Sequence, residues 1–256
     1  MHHVDIHCHI LPNVDDGPKT HAEALAMGLL AKEEGVSDII VTPHALHPQF
    51  GKTEVPIRDA LRQLQLVFDE NQLEIKLHLG NEIRSSGELF EALEQGAVQT
   101  LGGSRYVLIE FPHQTVPSYA DALFFDLQIE GYVPIIAHPE RNQLLTTEPN
   151  RLYHFASNGI LSQVTTASIA GQFGQMIQKM SLLFLQHHLS HFVASDAHNV
   201  GARSFFWREA REVMNRTLGP DETDMIIQRN QLVLMDEIIV SPTPLPMKKT
   251  WRGKWK

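Results

Sequence analysis

Seven short runs rich in β-branched residues, 3–7, 37–42, 74–80, 105–110, 132–137, 161–166 and 191–195, alternate along this chain with stretches of helical periodicity. In the stretch 18–34, Ala24, Met27, Leu30 and Ala31 recur at helical spacing, and 56–71, 86–95, 117–131, 148–158, 169–188 and 200–217 read the same way. Near-continuous apolar strands separated by helices are the pattern of a parallel sheet covered on both faces. No glycine-rich phosphate loop follows any run, so the α/β class expected is a closed or nearly closed barrel of seven strand–helix units rather than a doubly wound sheet. The 256 residues contain no internal repeat and suit one domain, spanning 1–240.

The residues that follow the runs are chemically loaded. The first run ends in His7, Cys8 and His9, with Asp15 and Asp16 in the loop beyond; the second ends in Thr42, Pro43 and His44; the third in Gly80, Asn81 and Glu82. Glu110 closes the fourth, His138, Pro139, Glu140 and Arg141 follow the fifth, and Ser195, Asp196, Ala197 and His198 follow the seventh. Six of seven strand ends thus carry His, Asp or Glu. In a β/α barrel these C-terminal ends converge on one face, where catalytic groups gather.

His7 and His9 stand two apart, so in an extended segment their side chains project together while Cys8 points away. The chain's only cysteine is therefore a poor third ligand and a poor nucleophile. The Cys-x5-Arg loop of the common tyrosine phosphatases is also absent, because Val14 stands six residues past Cys8. Imidazoles mixed with carboxylates suit Mn²⁺, Fe²⁺ or Zn²⁺, whereas an all-oxygen cage would suit Ca²⁺ or Mg²⁺. Nine candidates, His7, His9, Asp16, His44, Glu82, Glu110, His138, Asp196 and His198, are too many for one ion. Two or three ions about 3.5–4 Å apart would use them all. Arg141 and Arg203 are placed to grip phosphate oxygens; their ordinary alternative is ion pairing with Glu140 and Glu209. The other histidines, His47 and His191 among them, read as surface, structural or supporting residues.

Composition narrows the field further. With 21 Lys and Arg against 30 Asp and Glu, a formal net charge of −9, broad nucleic-acid binding is disfavoured. No apolar run approaches the roughly 20 residues of a spanning helix and no secretory leader is visible, so a cytoplasmic location is expected. From 241 the text becomes proline-rich and then basic, with Lys248, Lys249, Arg252, Lys254 and Lys256 interleaved with Trp251 and Trp255. A flexible solvated tail is the first reading, and a peripheral contact with an anionic membrane surface is the alternative.

The stretches "DIHCHILPNVDDGP", "IIVTPHA", "GNEIR", "YVLIEFP", "PIIAHPERN" and "HFVASDAHN" resemble the motifs of the polymerase-and-histidinol-phosphatase (PHP) superfamily. More narrowly, they resemble the manganese-dependent protein-tyrosine phosphatases of capsule and exopolysaccharide operons in Firmicutes. The resemblance implies a PHP-type distorted TIM barrel, (β/α)7, with a trinuclear centre that hydrolyses phosphotyrosine on a cognate bacterial tyrosine kinase and its substrates. It implies Mn²⁺, with Fe²⁺, Zn²⁺, Co²⁺ or Mg²⁺ as substitutes. By position, His7, His9, Glu82 and Asp196 match one metal site; Glu82, Glu110 and His138 match the second, with Glu82 bridging; Asp16, His44 and His198 match the third. Arg141 and Arg203 match the phosphate-binding arginines. The implied nucleophile is a metal-bound hydroxide, without a cysteinyl-phosphate, and His44 or a metal-bound water is a candidate proton donor. The alternatives are a small-molecule phosphomonoesterase such as a histidinol-phosphatase, and a non-catalytic module that binds a kinase.

Overall fold

The structure, a computed structural model, describes residues 3–50, 56–251, 253 and 255. Nine strands alternate with ten helices among these residues. The strands are β1 (His3–Cys8), β2 (Val36–Val41), β3 (His44–Ala45), β4 (Lys76–Leu79), β5 (Glu82–Arg84), β6 (Tyr106–Glu110), β7 (Val133–Ala137), β8 (Leu161–Thr165) and β9 (Phe192–Ala194). The helices are α1 (His21–Glu33), α2 (Ile57–Glu70), α3 (Leu89–Glu94), α4 (Ala120–Ile129), α5 (Gln143–Thr147), α6 (Asn150–Ser157), α7 (Thr166–Ile169), α8 (Gln175–Gln186), α9 (Trp207–Leu218) and α10 (Pro220–Leu234). None of them is long and apolar enough to cross a membrane.

All strand pairs are parallel, as the unbroken apolar runs require. The single ring expected from the sequence is, however, divided into two sheets, β1-β2-β4 and β3-β5-β6-β7-β8-β9. The division has a local cause. Pro43 lacks the N–H that would carry the second run straight on, so the ladder stops after β2 and resumes at β3. The third run breaks at Gly80 and Asn81, where the Asn81 amide donates to the Pro43 carbonyl at 2.8 Å and accepts from the Gln99 N–H at 2.9 Å. Asn81 thereby satisfies backbone groups that the interrupted ladder leaves open. The second and third runs each pass from one sheet into the other. Beyond β9 the chain returns to β1, where Asp196 N–H donates to His7 O at 2.8 Å and His9 N–H donates to Ala197 O at 2.9 Å.

Helix boundaries follow recognisable signals. Thr20 caps α1 by accepting from Glu23 N–H at 3.2 Å, while Glu23 accepts from the Lys19 N–H, a variant of the capping box. The stretch 169–188, expected as one helix, is helical only from Gln175, because Gly171 and Gly174 take positive φ values of 85° and 93° and separate α8 from the short α7. Helix α10 lies in a stretch the sequence reading left unassigned. Pro220 and the acids Asp221 and Glu222 open it, Ile226, Ile227 and Val233 are buried, and Asn230 donates to the carbonyls of Val4 and Val193 at 2.8 Å each. The segment from 241 makes contacts of its own. Leu245 N–H donates to His187 O at 2.9 Å, Met247 is buried with its N–H on Asn150 Oδ1 at 3.0 Å, and Lys249 lies 4.7 Å over the Trp255 ring. Arg252, Lys254 and Lys256 lie outside the described residues.

His191, buried beside β8, gives the fold an acid-sensitive point. Its Nδ1 accepts the Ser162 N–H at 3.1 Å, and burial, with the charges of Arg229 and His188, pushes its pKa down to about 3. The folded chain therefore refuses a proton that the unfolded chain accepts near pH 6.5. This contribution to stability is complete above that pH and is lost as pH falls toward 3, at up to about 1.4 kcal/mol per pH unit. His191→Asn keeps an acceptor for Ser162 and removes the titration. Urea unfolding at neutral pH and at about pH 5 should show a loss of stability smaller by about 1–2 kcal/mol in the variant.

Candidate metal centre

The strand ends do meet. His7 and His9 project to the same side of β1, with their Nε2 atoms 3.2 Å apart. Below them Asp5, fully buried, accepts from His7 N–H, Ser195 N–H and Trp207 Nε1 at 3.1–3.2 Å, which ties the end of β1 to the loop after β9. The loop bearing Asp15 and Asp16 packs onto His9 so closely that a Cβ on Gly17 would lie 2.3 Å from the His9 carbonyl oxygen. Glycine is required there, and the tight approach places Asp15 Oδ2 2.7 Å from His9 Nδ1.

Glu82, at the start of β5 and 1 % exposed, is the hub. Its Oε2 lies 3.4 Å from His7 Nε2, 3.2 Å from His9 Nε2 and 3.1 Å from His44 Nδ1, while its Oε1 lies 2.7 Å from His138 Nε2. Three overlapping groups result: His7, His9, Glu82 and Asp196; His9, Asp16, His44 and His198; and His44, Glu82 and Glu110. Within each, one ligand atom per residue lies within 4.8 Å of all the others. With His138 on Glu82, all nine candidates share one cup. His138 and Asp196 both hold left-handed backbone, at φ 32° and 52°, a conformation costly for side chains of this kind and tolerated where the surroundings enforce it.

The cup is charged and short of partners. Burial pushes Glu82 upward, but the surrounding His7, His138 and His44 hold it well below the ordinary carboxylate range. Asp196 is likewise held low by His7 and Arg141 against burial, and Asp15 falls to about 2 beside His9. Asp16 Oδ1, His44 Nδ1, Asp196 Oδ1 and His198 Nε2 are buried without a hydrogen-bond partner. Buried polar atoms are almost always satisfied, so four such atoms in one cup mark a place built for something else to bind. The donor set, imidazole nitrogen and carboxylate oxygen without thiolate, fits Mn²⁺, Fe²⁺ or Zn²⁺.

The two arginines sit on the rim. Arg141 is paired with Asp196 and Arg203 with Asp16 at 2.8 Å, rather than with Glu140 and Glu209. Glu140 instead accepts from Thr165 N–H at 2.9 Å. Other contributors were not among the sequence candidates. Gln163 Oε1, 2.8 Å from His7 Nδ1, orients that ring from β8, the strand of the sixth run, which alone among the seven runs ends without His, Asp or Glu. Arg84 Nη1 donates to Glu110 Oε2 at 2.8 Å, and its position two residues past Glu82 on the same strand face was the corresponding clue. Asp15 had the same standing in the sequence as its neighbour Asp16.

Cys8 turns away from the cup. It is fully buried, its Sγ lies 3.6 Å from the Ala197 carbonyl, and burial together with Asp5 pushes its pKa well above the usual thiol value.

A sequence profile describing capsular polysaccharide synthesis, CpsB/CapC, matches residues 3–236, and the chain belongs to that family. It is 39% identical over 246 residues to the tyrosine-protein phosphatase YwqE of Bacillus subtilis, covering 96% of this chain and 97% of YwqE. With CapC of Staphylococcus aureus it shares 37% identity over 252 residues, 98% of this chain and 99% of CapC. The fold superposes with a TM-score of 0.93, at 39% identity over 96% of this chain and 100% of the other, on a crystal structure from work on YwqE and on CpsB from Streptococcus pneumoniae, described as unique metal-dependent tyrosine phosphatases.

A thiol in this setting has almost no thiolate at neutral pH. Iodoacetamide should leave Cys8 unmodified in the folded protein and label it completely in denaturant, as intact mass measurement will show.

Proposed function

We propose that this chain is a metal-dependent protein-tyrosine phosphatase of capsular and exopolysaccharide synthesis, acting on phosphotyrosine in proteins. One observation carries the reading: four buried, unpartnered ligand atoms converge within three overlapping His and carboxylate groups, with two arginines at the rim. His7, His9, Glu82 and Asp196 would hold one ion, Glu82, Glu110 and His138 a second, and Asp16, His44 and His198 a third, with Mn²⁺ the first choice. Bound divalent ions would supply a nucleophilic water at neutral pH and offset charge on the phosphoryl group.

The chain's own residues do the rest. Arg141 and Arg203 are pre-aimed by Asp196 and Asp16, and their planar guanidinium groups can each take two phosphoryl oxygens. Gln163 and Asp15 fix the rings of His7 and His9. Since Cys8 faces away from the cup, the phosphoryl group passes to water without a cysteinyl intermediate, and the tyrosyl oxygen leaves with a phenol's ease. We read the two sheets as a distorted (β/α)7 barrel of PHP type, a bacterial tyrosine kinase as the substrate protein, and the cytoplasm as the place of action.

Chelation followed by dialysis should abolish turnover of a phosphotyrosyl peptide, and Mn²⁺ add-back should restore it in step with metal content by elemental analysis. His7→Ala, Glu110→Ala and Asp196→Ala should each lower turnover by about 100-fold or more. A preference for histidinol phosphate over the peptide would favour the small-molecule alternative, and an active protein free of metal would end the proposal.

A further inference from the structure

His47 sits at the rim of the cup without belonging to any of its ligand groups. After β3 the backbone turns left-handed at Leu46, φ 55°, and folds the next residues back over the site. The His47 ring stacks on His44 at 4.9 Å and on Phe50 at 4.9 Å, and Phe50 also stacks on His44 at 5.2 Å. The three rings are close to parallel, with interplanar angles of 29°, 22° and 15° in the same order. His47 Nδ1 accepts the backbone N–H groups of Gln49 and Phe50 at 3.2 and 3.3 Å. Two donors on Nδ1 leave the ring's proton on Nε2. That nitrogen lies 4.0 Å from Glu110 Oε2, too far for a hydrogen bond, at a side chain that keeps 11 % exposure.

His44, by contrast, belongs to two of the ligand groups, its Nδ1 facing Glu82 at 3.1 Å and its Nε2 facing Asp16 at 3.6 Å. Arg141 sits on Asp196, which shares a ligand group with His7 and His9 but not with His44 or Glu110, while Arg203 sits on Asp16, beside His44. A phosphate held by Arg141 over Asp196 can present its ester oxygen toward the His44 and Glu110 side, where Phe50 offers an aromatic surface and His47 an oriented N–H.

Resting on the phosphatase reading above, we propose that His47 is a catalytic hydrogen-bond donor, its Nε2–H meeting the aryl ester oxygen as that oxygen leaves phosphorus. The bond between phosphorus and the incoming water oxygen forms while the bond to the aryl oxygen breaks. The electron pair goes to the aryl oxygen, His47 stabilises the developing charge without losing its proton, the proton shed by the incoming water passes to solvent, and the phenolate takes its own from solvent.

The test uses two variants of the full chain and two aryl phosphates. His47→Asn keeps an acceptor for the loop amides and removes the distal donor, whereas His47→Gln restores a donor at that distance. In His47→Asn, kcat on phenyl phosphate, a poor leaving group, should fall about 10–100-fold, while kcat on p-nitrophenyl phosphate changes by less than about 3-fold. His47→Gln should recover part of the loss, and metal content and Tm should match the wild type in both. Equal losses on the two esters, no loss on either, or loss of bound metal in His47→Asn would overturn the assignment; should that chain not fold, a folded His47→Gln that loses turnover equally on the two esters would overturn it. A Mn²⁺-loaded wild type inert to both esters would instead bring down the phosphatase reading, and this proposal with it.

Discussion

Everything in the cup is arranged around one carboxylate that could not survive there alone. An ionised group as buried as Glu82 costs several kcal/mol unless its oxygens are met by opposite charge or hydrogen-bond donors. Four imidazoles, from His7, His9, His44 and His138, meet them. These come from strand ends spread over more than half of the chain, so the carboxylate can be satisfied only when the strands are in register and share one rim. The burial of Glu82 thus acts as a test of the fold: a slip of one residue in β5 would turn its side chain to the helix-covered face.

The break at Pro43 and Asn81 has the same logic. A smooth ladder would have kept His44 and Glu82 on the pleat dictated by β2 and β4. Interrupting both runs at the same height lets β3 and β5 pair with each other anew, with His44 opposite Glu82 in the register. Sheet continuity is given up at the level where the ligands are needed, and the Asn81 amide covers the backbone groups left open.

Much of this was legible beforehand, because strand identity and the chemistry of strand ends are local in the sequence. The seven apolar runs each became strand, and the His, Asp and Glu residues behind them came together. What escaped depended on distant partners. Nothing near 43 or 80 announces that Pro43 and Asn81 will meet, so the sequence reads as a closed or nearly closed barrel and the division into two sheets is not legible in it. Glycines at 171 and 174 were overruled by the apolar periodicity around them, and α10 went unassigned although Pro220 and its acidic neighbours were available as a start signal. Gln163, Arg84 and Asp15 were missed because a supporting residue is defined by what it touches. His47 shows the same limit, since its place depends on the left-handed turn at Leu46 rather than on any motif.

The orientation of Cys8 reaches beyond the choice of nucleophile. Hydrolases that depend on an exposed thiolate are silenced when peroxide converts it to sulfenic acid, and they need a reductant to return. Here the single thiol is sealed under Ala197 in its protonated form, so an oxidising burst finds no thiolate on which the chemistry depends. Dephosphorylation by such a cup would continue under conditions that switch thiolate enzymes off.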